Sequence, residues 1–412
     1  MLVSGIIINY GIILCFQSLD ISLIVECILS IFGLICFGIY TFRYYQLQTL
    51  RLSSISIWIG ISFVCLIFLS PILGRPLLGW DARSIWFFHA KMIYVAGSIG
   101  RSAGWQHPLI GFSHPDYPNL IPALAAQITN MLGFWNEYIP KISLLFMLIP
   151  AVVWLFTFAR RSFSFVILLL LIPFSFAPGI WNGYMDGYFA LYFSIAMLLF
   201  GRYINYSRPI DLISSFCCLI AVFYIKNEGA LAILTGFCSM ILTYSLVKDK
   251  PDSSKQEFLM KWKYYLVGLL ALIPLLLWGL YKQQWNLSND LEIGTIQSFL
   301  RIISRLTDGS LRLIFQNVFG EIESAILLLG LLYFASVAQN ESLTNESFPA
   351  LIAAGIYIMG MIFIYLQTPK DLVWHLNTSI ERIMLLVNGC IFVGCYFILN
   401  KLERDRSGVA LH

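Results

Sequence analysis

Charge is what this chain has least of. Only 12% of its 412 residues are Asp, Glu, Lys or Arg, about half the share in an ordinary soluble domain. Hydrophobic residues supply 59%, and the mean hydropathy is +0.79. A water-soluble fold of this length cannot hide so much apolar surface, so a bilayer is the expected solvent. The net charge of +4 is small and no basic stripe is visible, so nucleic acid is not an expected partner. The polar loops lack cysteine. All nine cysteines (Cys15, Cys27, Cys36, Cys65, Cys217, Cys218, Cys238, Cys390 and Cys395) fall inside apolar runs. That placement argues against a disulfide framework, and no Cys or His spacing suggests zinc. Walker A, GxGxxG and HExxH motifs are missing. No Asp-x-Asp pair of the kind that grips a metal-bound nucleotide sugar occurs, which disfavours a soluble nucleotide donor. Neither cofactor nor metal is expected. The N-terminus has no basic n-region or A-x-A site and reads as a retained first span or an interfacial hairpin. Internal repeats and low-complexity tracts are not found.

What is present is apolar runs separated by short polar links. About twelve candidate spans centre near residues 9, 31, 64, 148, 171, 195, 217, 238, 272, 331, 357 and 392, since a bilayer core needs about 20 apolar residues per helix. The expected fold is all-α, a polytopic transmembrane helical bundle forming one membrane domain over 1–412. Two spans occupy 1–54, a long loop runs over 75–137, and a second sizeable loop covers 282–323. Aromatics at 16% suit two membrane–water interfaces.

Arg43, Arg51, Arg160, Arg161, Arg202, Arg208, the lysines from Lys248 to Lys263, and Lys401, Arg404 and Arg406 all fall on one face if every run crosses once. By the positive-inside rule that face is cytoplasmic, as are both termini. The loop from Arg75 to Glu137 then lies outside. Within it, 82–96 has apolar residues at near-helical spacing and predicts an amphipathic helix along the membrane surface. A second helix is expected over 119–134, with Pro122 in its first turn.

Ionisable groups at a membrane edge are costly unless paired or used, and several gather at span ends on this outer face. Asp81 closes Gly79-Trp80-Asp81 where the third span ends; it suits a general base, or a helix N-cap. His114 and Asp116 are presented by His114-Pro115-Asp116-Tyr117-Pro118, a rigid turn. Asp186 sits in Tyr184-Met185-Asp186-Gly187-Tyr188, a setting for a sugar or head group, or a tight interfacial turn. Lys226-Asn227-Glu228-Gly229 interrupts two spans with almost no loop. Lys226 suits a phosphate and Glu228 could orient it, or the two form an ion pair that serves as a turn. Glu381 and Arg382 begin the last span. Arg382 suits a phosphate fork, or snorkels from the helix end. His375 has a weaker case, and His89 and His107 read as structural or interfacial.

In their order and common face, these motifs resemble the GT-C superfamily of membrane glycosyltransferases, in particular the bacterial branch similar to protein mannosyltransferases and aminoarabinose transferases. The resemblance spans residues 60 to 400. It implies an enzyme of the bacterial plasma membrane that takes a sugar from a polyprenyl-phosphate-linked donor. The sugar passes to a glycan, lipid or protein acceptor outside the cytoplasm. It implies Asp81 as catalytic base and Lys226 and Arg382 as holders of the donor phosphate. Asp116, His114, Asp186, Glu228 and Glu381 are expected to complete substrate binding. The chain departs from the family in carrying two apolar segments before the span that leads into the catalytic loop.

The same chemistry follows from the residues. Phosphate departing from an anomeric carbon needs cationic stabilisation, the acceptor hydroxyl needs a base, and one displacement inverts the anomeric centre. Two other readings stay open. A polysaccharide polymerase or ligase would transfer a whole lipid-linked glycan. A transporter or flippase would suit about twelve spans, although transporters tend to carry midplane charges or repeats.

Overall fold

A computed structural model describes residues 2–44, 52–158, 164–170, 175–247, 272–287, 295–339 and 344–407. The described residues contain helices and no strands. They form two compact units: one of 1–157, 181–184 and 269–287, the other of 158–180, 185–268 and 288–412.

Eight helices among the described residues are long and apolar enough to cross a bilayer, which fits an integral membrane protein. Each of the eight lies over one of the twelve expected centres. Of the other four centres, those near 9 and 217 fall on shorter helices, that near 272 immediately precedes one, and that near 171 lies outside the described residues. Leu2–Phe16 has 15 residues and Pro209–Ile225 has 17, against the about 20 needed for an upright crossing. Ser164–Leu170 and Ile273–Gln284 adjoin positions outside the described residues. The lysine-rich link of 248–263 also lies outside them.

The first unit holds α1 (Leu2–Phe16), α2 (Leu19–Tyr44), α3 (Leu52–Gly74), α4 (Phe87–Ala96), α5 (Leu120–Leu132), α6 (Ile142–Thr157) and, later in the chain, α12 (Ile273–Gln284). Along α2 and α3 large apolar side chains such as Ile24, Ile28, Phe32, Trp58, Phe63 and Leu66 face outward. That surface is stable only against lipid.

The long loop between α3 and α6 is almost wholly folded. A π-helical turn at Ala82–Trp86 runs into α4, and α5 is buried along most of its length. The helix expected over 82–96 therefore exists, and it has two sides: Arg83, Lys91 and Val95 are exposed while the opposite, apolar side is buried. Ile85, Trp86, Phe87, Ala90 and Ile93 are all buried, and α4 packs on α5.

His89 explains part of this packing. It is fully buried, with Nδ1 at 2.9 Å from Asn119 Oδ1 and Nε2 at 3.2 Å from Ser113 Oγ. Trp105 meets its ring edge-on. Burial pushes the His89 pKa down to about 4, more than the two hydrogen bonds restore. Between that value and an ordinary histidine pKa near 6.5 the unfolded chain binds the extra proton, so stability is full above about pH 6.5 and falls toward pH 4. The expected loss at pH 5 is about 2 kcal/mol. It should appear as a lower melting temperature in detergent at pH 5 than at pH 7.5, and His89→Asn should flatten the difference. An unchanged pH slope in that variant would remove His89 as its source.

The second unit holds α7 (Ser164–Leu170), α8 (Ala177–Trp181, whose last residue belongs to the first unit), α9 (Asp186–Tyr206), α10 (Pro209–Ile225) and α11 (Gly229–Leu246). It continues with α13 (Ile296–Thr307), α14 (Ser310–Ala338), α15 (Phe348–Gln367) and α16 (Leu372–Ser407). Helix α9 is apolar on every side and is sheathed by α10, α15 and α16, as a helix without a polar face must be. Its central position puts its N-terminal residue, Asp186, in the interior.

Two boundaries differ from expectation. The second loop, expected over 282–323, is mostly helix among the described residues: α12 runs to Gln284, α13 covers Ile296–Thr307 and α14 starts at Ser310. The last helix begins at Leu372 rather than at Glu381. In both cases the mixture of polar and apolar residues reads as loop in isolation, and neighbouring helices supply the packing that makes it helical.

Candidate functional site

The strongest convergence of ionisable groups lies in the second unit, where three elements meet. Helix α10 ends at Ile225 and α11 begins at Gly229, so Lys226, Asn227 and Glu228 form the whole turn. Helix α9 starts with Asp186. Helix α16 passes with Arg382 in its third turn.

Asp186 is held in place by glycine. A Cβ on Gly187 would stand 2.5 Å from the carbonyl carbon of Gly179, and one on Gly179 would stand 2.7 Å from the Gly187 nitrogen. The start of α9 and the end of α8 touch backbone to backbone, which only a residue without Cβ permits. Gly187→Ala is therefore expected to force the two backbones apart. Overpacking of this kind destabilises by about 1–3 kcal/mol, and Asp186 would move with the helix end. A melting temperature equal to that of the unmodified protein would contradict the contact.

The charges are arranged around this carboxylate. Lys226 Nζ stands 2.9 Å from Asp186 Oδ1 and 3.2 Å from Glu228 Oε1. Arg382 Nη1 stands 3.6 Å from Asp186 Oδ2, and its Nη2 donates to the Thr378 carbonyl at 3.1 Å. Lys226 and Asp186 are buried, at 8% and 5% exposure, whereas Arg382 and Glu228 are half-buried. Asp186 also occupies the first turn of α9, where the helix dipole favours a negative charge. Burial alone would lower the Lys226 pKa. The Asp186 and Glu228 carboxylates outweigh it and hold the ammonium above its ordinary value, so Lys226 is charged throughout the physiological range.

Phe189, Tyr357 and Ile383 line a small cleft with these four residues. It has about 10 Å³ of free room, enough for about one water molecule. The residues are a pair of cations, two carboxylates and a phenol at the edge of apolar spans. Chemically this is a cluster in which two cations are balanced by two carboxylates.

Three of the expected residues from separate motifs thus come together with Glu228. Glu381 does not join them. It is exposed and does not line the cleft, because neighbouring residues on a helix point about 100° apart. His375 bonds Thr368 Oγ1 through Nδ1 at 3.0 Å and meets the Tyr365 ring edge-on. Tyr357 belongs to the cleft yet carried no signal in the sequence, since it stands in the middle of an apolar run.

The remaining expected residues belong to the first unit. Asp81 is not at the end of α3, which stops at Gly74; it opens the next helical segment, ahead of the π-turn. Its side chain makes no capping hydrogen bond, so the N-cap alternative does not account for it. The Asn182–Tyr184 turn packs on this segment. Gly183 has φ +84° and lies against Leu77 and Ala82, while the Tyr184 ring covers Gly79. Arg75 sits over the Trp181 ring with 5.9 Å to the centroid.

Asp116 is buried, and Lys282 Nζ stands 3.7 Å from its Oδ2. His114 adopts φ +52° and stacks on Tyr117 with ring centroids 5.0 Å apart. The His114 stack is local to the turn, whereas the Asp116–Lys282 pair ties the turn to α12. His107 accepts a hydrogen bond from the Leu109 N–H, a local role. A cation that sequence reasoning missed is Lys141, which is fully buried, donates to the Arg75 carbonyl and lies over the Tyr138 ring.

Comparison with protein-family models, curated proteins and solved structures finds no match for this chain.

Proposed function

We propose that this protein is a polyprenyl-phosphate-dependent membrane glycosyltransferase of the GT-C type, working on the extracytoplasmic side of a bacterial plasma membrane. The observation that carries the reading is the meeting of Lys226 and Arg382 on Asp186 at one cleft. Two fixed cations from separate helices at the end of a span suit a lipid-linked phosphate, which presents its charge at that depth. In the empty site Asp186 and Glu228 balance the cations. When donor binds, phosphate oxygens compete for Lys226 and Arg382, and Asp186 keeps the two cations together.

The transfer balances as a single displacement. The acceptor oxygen forms a bond to the anomeric carbon as the bond from that carbon to the phosphate oxygen breaks. The electron pair leaves with the polyprenyl phosphate, where Lys226 and Arg382 stabilise it. The acceptor proton passes to Asp81, and the anomeric configuration inverts. The case for Asp81 rests on its match to the position of the catalytic base in the GT-C resemblance and on the π-turn that follows it, since π-turns are rare and frequent at functional sites.

Purified protein in nanodiscs, supplied with polyprenyl-phospho-sugars and membrane extracts as acceptor source, tests the reading. Release of polyprenyl phosphate with one sugar added per acceptor is the expected product. A ladder of added units would instead point to a polymerase. Uptake into vesicles without any product would point to a transporter.

A further inference from the structure

Helix α13 (Ile296–Thr307) is built the opposite way from a helix on a water-soluble protein. Its two arginines face the protein. Arg301 Nε donates to the Gln367 carbonyl at 2.8 Å. Arg305 Nη1 donates to the carbonyls of Tyr365 at 2.8 Å and Thr368 at 2.9 Å, and its Nη2 donates to that of Lys370 at 3.2 Å. These carbonyls close the C-terminus of α15, where the last turn has no intrahelical donors and the dipole is negative. Ser298, on the same side, is buried.

The opposite side of α13 carries Ile296, Phe299, Leu300, Ile303 and Leu306 at helical spacing, and their exposure runs from 49% to 82%. A continuous stripe of five large apolar residues facing outward has no stable arrangement in water. Its level in the molecule is set by α15, one of the spans, whose end it grips. A span ends where the hydrocarbon meets the head groups. The long helix α14 follows after Asp308 and Gly309 and likewise presents Leu327, Leu331 and Phe334 outward.

We infer that α13 is a membrane-interface helix whose Ile296, Phe299, Leu300, Ile303 and Leu306 face enters the boundary between lipid head groups and acyl chains, with Arg301 and Arg305 pinning it to the end of α15. The occupant of the stripe is lipid, because the stripe continues the apolar surface of the adjoining spans, and the polar residue on the same side, Thr307, turns its hydroxyl back to donate to the Ser304 carbonyl at 2.9 Å. Tyr365, whose carbonyl Arg305 holds, bonds through its hydroxyl to Ser379 Oγ at 2.8 Å, one turn before Arg382 on α16. This inference does not depend on the proposed transferase activity.

The test places a para-trifluoromethyl phenylalanine at position 299 of the full chain by stop-codon suppression, and a second probe at Ser304 on the flank of the stripe. Fluorine NMR in nanodiscs then compares two paramagnetic agents: a lipid with a nitroxide near the head-group end of its acyl chain, and a soluble gadolinium chelate. The expected result at position 299 is broadening by the lipid nitroxide several-fold greater than by the chelate, with a smaller ratio at position 304. Stronger broadening by the chelate would overturn the inference, as would insensitivity to both, which would mean that protein covers the stripe. The replacement is nearly isosteric at Phe299 and enlarges an exposed side chain at Ser304, and an unchanged melting temperature certifies each labelled sample. The double variant Arg301→Ala/Arg305→Ala should reduce the difference between the two agents at position 299 by freeing the helix.

Discussion

Lys226→Met is expected to destabilise the folded protein by roughly 3–5 kcal/mol, the usual penalty for removing one partner of a buried ion pair. The side chain is 8% exposed and contacts Asp186 and Glu228. Without it, the cation left beside Asp186 among the described residues is Arg382, which stands 3.6 Å away and is partly in contact with solvent. The penalty is chiefly that of a buried carboxylate left under-compensated. It follows that Lys226→Met/Asp186→Asn should recover most of the lost stability, because the charge that suffered is gone. Donor binding should not recover with it. Titration of a polyprenyl phosphate into nanodisc-embedded protein, followed by native mass spectrometry, should show binding weakened at least ten-fold in both the single and the double variant. If the double variant is stable and binds as the unmodified protein does, Lys226 holds the fold together and has no part in holding phosphate.

Asp81→Asn should behave in the reverse manner. Asn keeps the size and shape of Asp and the position is only half-buried, so the change in melting temperature is expected to be small. Loss of a positioned general base typically lowers turnover by about 10²–10⁴-fold. Sugar transfer should fall by that factor while polyprenyl-phosphate binding stays within about two-fold, because the base acts on the acceptor. The pair of variants separates the two halves of the mechanism: one removes donor affinity, the other removes proton transfer at intact affinity. Undiminished transfer by Asp81→Asn would eliminate this residue as base and leave the Lys226 and Arg382 site standing.

Arg382 and Glu381 show how far local sequence reaches. Both are charged, adjacent and near an apolar run, and the sequence treats them alike. Only the direction in which each leaves α16 separates them, and one helical step of about 100° sends Arg382 to Asp186 and Glu381 outward. The same holds for Tyr357, which one more apolar run conceals until α15 is packed against its neighbours. Lys282 is a further case. It reads as a loop cation, and its partner, Asp116, lies far away in sequence.

By itself the sequence determined that the chain is all-helical and belongs in a bilayer, because hydropathy and periodicity are local properties that any solvent would read in the same way. It also determined the turn at Lys226–Glu228, the helix over 120–132 and the polar character of the span ends. Tertiary structure alone decided that α4 packs its Phe87, Ala90 and Ile93 side against α5, that α13 turns its apolar side outward, and that Asp186, Lys226 and Arg382 share one cleft. Those facts depend on which helix packs beside which. A helix specifies the spacing of its side chains along one axis, whereas convergence requires the relative rotation of several axes, and that is fixed only when contacts such as Gly179 on Gly187 are made.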